Sequence, residues 1–514
     1  MTFRLTLAAA ALTAALPALP ALADVPDQPF ASLARLTASR PAAIEANWTP
    51  LKLPSGDRIT LASLSYLMAV DDDWGFGPGF YGAATGHYGG IFTVGFTGQR
   101  RWRLGPNTHL AAGLYVGAGG GLSSDQLRFG GGLMLRPEIS IRTESGDWYT
   151  GVSLAHVRFP TGNGNVSGTN FGFVIGRASS FASFSPSDTG RPAKAGVRTG
   201  LGFDEITLLG GIAKPTSATR NRGGAVSTHR MGKAGAELRQ YIAAGSWWAV
   251  EASGAAQGGS DGYMEVLASA GQDWALFGAK SLRVGGLIGA GLGGGGGVDT
   301  GNGWLLRAGP SLRWITPWGA SLRLDAAVTR APSGHYASRD LRVGLSMPLD
   351  QTPSYSGATP DAIGTVRTQQ IFASVQQVPR VHFKDGSTEA ISNLAVLMTR
   401  EFSPSFYGVA QAGSAALGKA GAFSFGLFGL GLQSPYVLGR MRFGLEGMVG
   451  AAGGGKVAVG GGAVMQVEGY AQWELAEHLR LRAGLGQWRT LRGSGQSSPL
   501  FNVSLGYAFG TLAR

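Results

Sequence analysis

Along most of the chain, apolar residues occupy every second position. In EHLRLRAGLGQW, Leu479, Leu481, Ala483 and Leu485 share one face, and Arg480, Arg482, Gly484 and Gly486 share the other. RMRFGLEGMV sets Met441, Phe443 and Leu445 against Arg440, Arg442, Gly444 and Glu446. SLRLDAAV sets Leu322, Leu324, Ala326 and Val328 against Arg323 and Asp325. A period of two predicts strands with one apolar face. A soluble sandwich would bound its strands with many charged loops, and this chain has few. Alternating segments of about ten residues joined by short turns fit an antiparallel barrel whose outer face meets lipid. Trp148 and Tyr149, Trp314 and Trp318, and Tyr470 and Trp473 cluster near turns, where a membrane-interface girdle is expected.

The pattern recurs three times. FYGAATGHYGG from Phe80, WWAVEASGAAQGG from Trp247 and FYGVAQAGSAALG from Phe406 hold equivalent places, about 160 to 170 residues apart. A glycine-dense element follows each, near Gly119, Gly293 and Gly453. The three copies then close on RFPTGNG, RAPSGHY and RTLRGSG, from Arg158, Arg330 and Arg489. In the third copy the alternation predicts eight strands, near 371–379, 390–400, 406–413, 421–432, 439–450, 459–473, 478–490 and 500–509. In the first copy IEANWTPLKL supplies the opening strand. These readings give a barrel at 24–177, a linker at 178–205, a barrel at 206–348, a linker at 349–368 and a barrel at 369–514.

Strand parity places the glycine elements at the tips of the hairpins between fifth and sixth strands. A phosphate-binding loop would need Gly-Lys-Ser/Thr opening a helix, whereas Lys456 is followed by VAVGGG, a strand pattern. Glycine permits positive φ and close backbone approach, so the expectation is a bare, sharply curved rim.

About 24 strands can close as three barrels or as one. A single barrel would be roughly 45–50 Å wide, whereas an eight-stranded barrel is about 16 Å across and filled by side chains. Expected lumen residues include Arg440, Arg442, Glu446, Gln466, Glu468, Tyr470, Arg480, Arg482 and Trp488 in the third copy. In the second they are Glu251, Glu265, Arg283, Arg307, Arg313, Arg323 and Asp325. Such mixed charges can pair across a narrow lumen. The long polar connections between copies favour three tandem eight-stranded barrels; one wide, porin-like barrel is the alternative.

Composition narrows the class. Glycine is 85 of 514 residues, the charged fraction is 14%, and cysteine is absent. That excludes a disulfide scaffold and thiol catalysis. MTFRLTLAAAALTAALPALPALA, residues 1–23, has a basic start, an apolar run and a small-residue site before Asp24, and is expected to be a secretory signal cleaved after Ala23. An exported, charge-poor, glycine-rich chain with alternating strands resembles Gram-negative outer-membrane β-barrel proteins that carry several barrels in one chain. The closing NVSLGYAFGTLAR, with Val503, Leu505, Tyr507 and Phe509 alternating, resembles the terminal strand of such barrels.

That resemblance implies an outer-membrane location, lipid and lipopolysaccharide as surroundings, and the barrel-assembly machinery as partner during insertion. It further implies a non-enzymatic role in envelope organisation or surface-polysaccharide export, with a surface glycan as a further partner. The net charge of +12 suits lipopolysaccharide phosphates, and no aromatic-basic module for nucleic acid occurs.

Single copies resemble eight-stranded barrels of the OmpA and lipid A deacylase type. In SLAHVRFPTGNGNVSGTNFGFVIG, His156 would match the deacylase histidine, but Arg158 stands where the serine is expected and no acid follows to Ile175. Without its nucleophile the triad cannot operate, so no catalytic residue is expected. His87 and His109 are isolated, and Asp71 to Asp73 lack the alternating spacing of a calcium loop. No cofactor or metal is expected.

Overall fold

The structure, a computed structural model, describes residues 33–513 apart from 38, 54–55, 122–128, 163–165, 280, 318, 350–361 and 494. The expected signal, most of the 349–368 connection and Trp318 lie outside the described residues.

The first eight strands are β1 (Arg40–Lys52), β2 (Arg58–Ala69), β3 (Trp74–Ala83), β4 (Phe92–Arg103), β5 (Thr108–Gly120), β6 (Leu133–Ser145), β7 (Trp148–Arg158) and β8 (Ser167–Phe181). Each pairs antiparallel with the next, and β8 returns to β1, Ala43 facing Ala178. After the short β9 (Pro192–Ala195), a second set begins. It comprises β10 (Glu205–Pro215), β11 (Met231–Ala243), β12 (Ser246–Gln257), β13 (Met264–Ala275), β14 (Leu282–Gly294), β15 (Trp304–Ile315), β16 (Ser321–Arg330) and β17 (Ala337–Pro348). β17 closes onto β10, Leu208 facing Leu345. The third set is β18 (Ala362–His382), β19 (Thr388–Ser403), β20 (Phe406–Leu417), β21 (Ser424–Gln433), β22 (Met441–Gly453), β23 (Ala463–Glu474), β24 (Leu479–Thr490) and β25 (Ser497–Ala513). It too closes on itself, because Ile371 of β18 pairs with Tyr507 of β25. Three eight-stranded barrels are formed, and the single wide barrel is not.

The segment 178–205, read from the sequence as a connection, contains structure. β8 runs to Phe181, and β9 pairs with the start of β18, Ala193 facing Gly364. β18 also starts at Ala362, ahead of the expected boundary at 369. These extensions carry no outward apolar alternation. They are instead covered by an apolar cluster of Ala34, Phe184, Ala193, Ala195, Val366 and Leu512.

Alternation sorts each strand into an inner and an outer face. β16 is the plainest case: Ser321, Arg323, Asp325 and Ala327 are buried, while Leu322, Leu324 and Val328 are exposed. Inside the second barrel the charges form a continuous chain of pairs. Lys233 meets Glu265 at 3.0 Å, and Glu265 also takes Arg307. Arg307 reaches Glu251 at 2.9 Å, and Glu251 meets Arg342 at 2.5 Å. Arg342 meets Asp325 at 3.0 Å, Asp325 meets Arg323 at 3.1 Å, and Arg323 meets Glu237 at 2.6 Å. Arg313 binds Glu205 nearby. In the first barrel Arg142 pairs with Glu45 at 2.6 Å, and in the third Arg482 pairs with Glu446 at 2.5 Å. Charges taken from water this completely persist only when paired and hydrogen-bonded. Towards the glycine end apolar clusters fill the lumens, for example Leu53, Ile91, Phe129, Met134, Phe159 and Val166 in the first barrel.

Some parity assignments change. Arg440 is exposed in the turn before β22, because the strand starts at Met441, two residues later than the alternation suggested. Arg283 keeps its inward parity, opposite Arg313, but is only half-buried and donates to the Asp273 carbonyl at 3.2 Å. Tyr149, read as a girdle residue, faces the lumen and donates to Glu45 at 2.9 Å; Tyr470 lies in the lumen as its parity requires, stacked on Arg482, whose guanidinium carbon lies 3.5 Å from the ring centre. Their neighbours Trp148 and Trp314 do stand exposed at strand ends, opposite the glycine tips.

Candidate functional site

The glycine elements are the most unusual feature of the sequence, and the fold uses them to join barrels. Residues Ala34–Arg514 form one compact unit. Within it, the tip after the third strand of one barrel packs on the glycine tract after the fifth strand of the next.

Three junctions follow the same rule. At the first, the loop after β3 meets the tract after β14: Gly89 N donates to Gly301 O at 2.9 Å, and Arg222 donates to the Gly89 carbonyl. At the second, the loop after β12 meets the tract after β22: Gly262 lies against Gly453 and Gly454, and Asp261 pairs with Lys384 at 2.8 Å. At the third, the loop after β20 meets the tract after β5: Gly421 N donates to Gly130 O at 2.7 Å, and Thr161 donates to Ala416 O at 3.4 Å. First to second, second to third and third to first, the head-to-tail contacts close into a ring, as a cyclic trimer would.

Glycine is required here for two separate reasons. Gly295 and Gly454 occupy corresponding places with φ of 90° and 89°, where an L side chain is strained. Gly89, Gly131 and Gly453 need no unusual φ, yet a Cβ on each would collide with the neighbouring barrel: Thr300 and Gly303 for Gly89, Ala416 and Leu417 for Gly131, Gly262 for Gly453. The expected bare rim is therefore corrected to a contact surface. Close backbone approach was legible in the composition; the partner was not.

A wider apolar seam joins the first and third barrels. Ala42, Met68 and Phe181 pack on Ile371, Val396 and Phe509, with the rings of Phe181 and Phe509 4.9 Å apart. Phe509 follows the outward parity of β25 but is fully buried in this seam.

The electrostatics of the junction loops are local. Burial would raise the Asp299 carboxyl, but hydrogen bonds from His335 at 2.6 Å and from Gly301 N at 3.0 Å outweigh it and hold the group below its ordinary value. At the opposite end, Asp71 accepts from Trp74 N and Asp73 N at 2.7 and 2.9 Å, which lowers its carboxyl. It closes a turn. His87 is exposed, and His109 lies 3.5 Å from Glu144. Among the described residues no three His, Asp or Glu side chains converge as a metal site requires.

His156 sits on the outward face of β7. Its Nδ1 lies 2.7 Å from Thr169 Oγ1 and its Nε2 3.3 Å from Ser167 Oγ, both on β8. Ser167 was missed in the sequence because it lies across the hairpin, facing Arg158 rather than following His156 by two. A hydroxyl, not a carboxylate, holds Nδ1, so the ring lacks the partner that stabilises an imidazolium.

No family model matches this chain, and no curated protein matches it. Among solved structures, the ferric enterobactin receptor PfeA of Pseudomonas aeruginosa is 11% identical, with 93% of this chain and 82% of that chain covered and a TM-score of 0.28. OccK2 (OpdF) of Pseudomonas aeruginosa is 11% identical over 92% of this chain and 98% of that chain, with a TM-score of 0.22. The outer membrane protein opdK of Pseudomonas aeruginosa is 10% identical over 92% and 99%, also at 0.22. Scores this low leave the reading of the chain to its own geometry.

Proposed function

We propose that the chain is a non-enzymatic integral outer-membrane protein that clamps three filled barrels into a rigid cluster, and that it serves envelope organisation or surface-polysaccharide export. The filling of the lumens carries this reading: among the described residues, buried ion pairs at mid-height and apolar clusters towards the glycine ends occupy the interior of each barrel. Membrane residence is supported by the outward faces, where Leu324, Val343, Val503 and Leu505 are all exposed. Strands of 12 residues, such as β17 and β24, are long enough to cross a bilayer at barrel tilt. On this reading lipid and lipopolysaccharide surround the ring, the barrel-assembly machinery inserts it, and a surface glycan is its further partner.

Planar-bilayer recording with the full-length protein tests the proposal. Three filled barrels should give no steady steps, whereas a lumen of roughly 45–50 Å would give nanosiemens-scale ones. Lipid A from overproducing cells should also keep its mass. Steady large conductance, or loss of an acyl chain that disappears in His156→Ala, would contradict the proposed role.

A further inference from the structure

On the outside of the second barrel, three cations stand together at the level of the glycine tips. Lys214 and Arg339 face each other directly across β10 and β17. Arg330 ends β16 one diagonal step away, since Arg339 pairs with Val328 and Arg330 with Ala337. All three are exposed on the outward side of their strands. Like charges placed directly opposite one another destabilise a sheet unless something neutralises them.

The acids close in sequence are committed elsewhere. Asp340 faces the lumen, 3.9 Å from Lys233 and 3.6 Å from Arg307. Asp299 holds His335. Further down the same outer wall, Ile212, Val328 and Leu341 are exposed apolar side chains. A cationic row above an apolar wall matches a molecule with phosphate at one end and acyl chains at the other. The other barrels repeat part of the arrangement. Arg158 ends β7 and Arg489 lies at the end of β24, both exposed at places corresponding to Arg330. In the first barrel Lys52 also faces Arg58 across β1 and β2.

We propose that Lys214, Arg330 and Arg339 bind the phosphate of a phosphorylated glycolipid in the surrounding leaflet, whose acyl chains lie along Ile212, Val328 and Leu341. Arginine forks and a lysine ammonium suit a phosphate's several acceptor oxygens. The proposal rests on the membrane reading above and adds a ligand to it.

Native mass spectrometry of the full-length protein in detergent tests it. The probes are bisphosphorylated lipid A, the same lipid with its phosphates removed, and polygalacturonate as an acidic soluble glycan. The wild type should retain the phosphorylated lipid in preference to the dephosphorylated one. The variant Lys214→Ala/Arg330→Ala/Arg339→Ala should bind it on the order of tenfold or more weakly, and the charge-keeping Lys214→Arg should not. Heat-modifiable migration of every variant checks that the barrels remain closed. Equal retention of the dephosphorylated lipid, unchanged affinity in the triple variant, or preferential binding of polygalacturonate would overturn the lipid assignment alone. A wild type without heat-modifiable migration would overturn the membrane reading and this proposal with it.

Discussion

Arg307→Leu should destabilise the second barrel by about 3–5 kcal/mol, the range for breaking a buried ion pair from one side. Arg307 bonds to Glu251 at 2.9 Å, to Glu265, and through Nε to Thr329 at 3.0 Å. Leucine replaces the chain's volume in part but leaves two buried carboxylates short of a cation. Lys233 still holds Glu265 and Arg342 still holds Glu251, which places the loss towards the lower end of the range. The outward Arg330→Leu serves as control, since it removes the same charge from an exposed position. Urea titrations in detergent, followed by the heat-modifiable band, give both values. A loss below about 1 kcal/mol for Arg307→Leu would mean that water reaches these carboxylates and that the lumen is not dry.

Gly453→Leu should separate the second and third barrels without unfolding either. A leucine Cβ there would lie inside the van der Waals surface of Gly262 and the Asp261 carbonyl carbon, both in the neighbouring barrel. Overpacking of this kind costs about 1–3 kcal/mol, and moving the barrels apart relieves it. The Lys384–Asp261 pair, at 2.8 Å, spans this junction and provides the readout. A zero-length carbodiimide cross-link between the two should form in the wild type and be lost in Gly453→Leu. Gly447→Leu, where a Cβ meets nothing within 4 Å, should keep it. Persistence of the cross-link in Gly453→Leu would show that the junction tolerates a side chain and that glycine serves another purpose there.

Much of this fold can be read from a period of two. The strand expected at 478–490 is Leu479–Thr490, and Arg480, Arg482 and Trp488 face inward as their parity requires. Alternation reports only which face a residue lies on, not what that face meets. Phe509 has outward parity but is buried against Phe181 of another barrel, and nothing local distinguishes it from the exposed Val503. Tyr149 misled for the opposite reason. Aromatics near turns suggest a girdle, yet the phenol of Tyr149 reaches a buried carboxylate inside the barrel. The junctions were legible as glycine and illegible as contacts, because their partners lie a whole barrel away in sequence. Ser167 beside His156 depends on hairpin register, which a loop of unread length conceals.

Separate closure of each barrel is the claim from which the filled lumens and the ring follow, and one cysteine pair tests it. The native chain has no cysteine, so background is absent. Val375 of β18 faces Val503 of β25, and both side chains point outward, away from the ion pairs. Directly opposed strand residues have Cα atoms about 4.5–5.5 Å apart, within the range a disulfide spans. Val375→Cys/Val503→Cys in the full-length protein should form an intramolecular disulfide on mild oxidation, with heat-modifiable migration retained. Ala46→Cys/Val503→Cys, which would join the last strand to the first barrel, should stay reduced. The reverse outcome, a cross-link from Val503→Cys to Ala46→Cys and none to Val375→Cys, would mean that the chain closes as one wide barrel and would contradict the account.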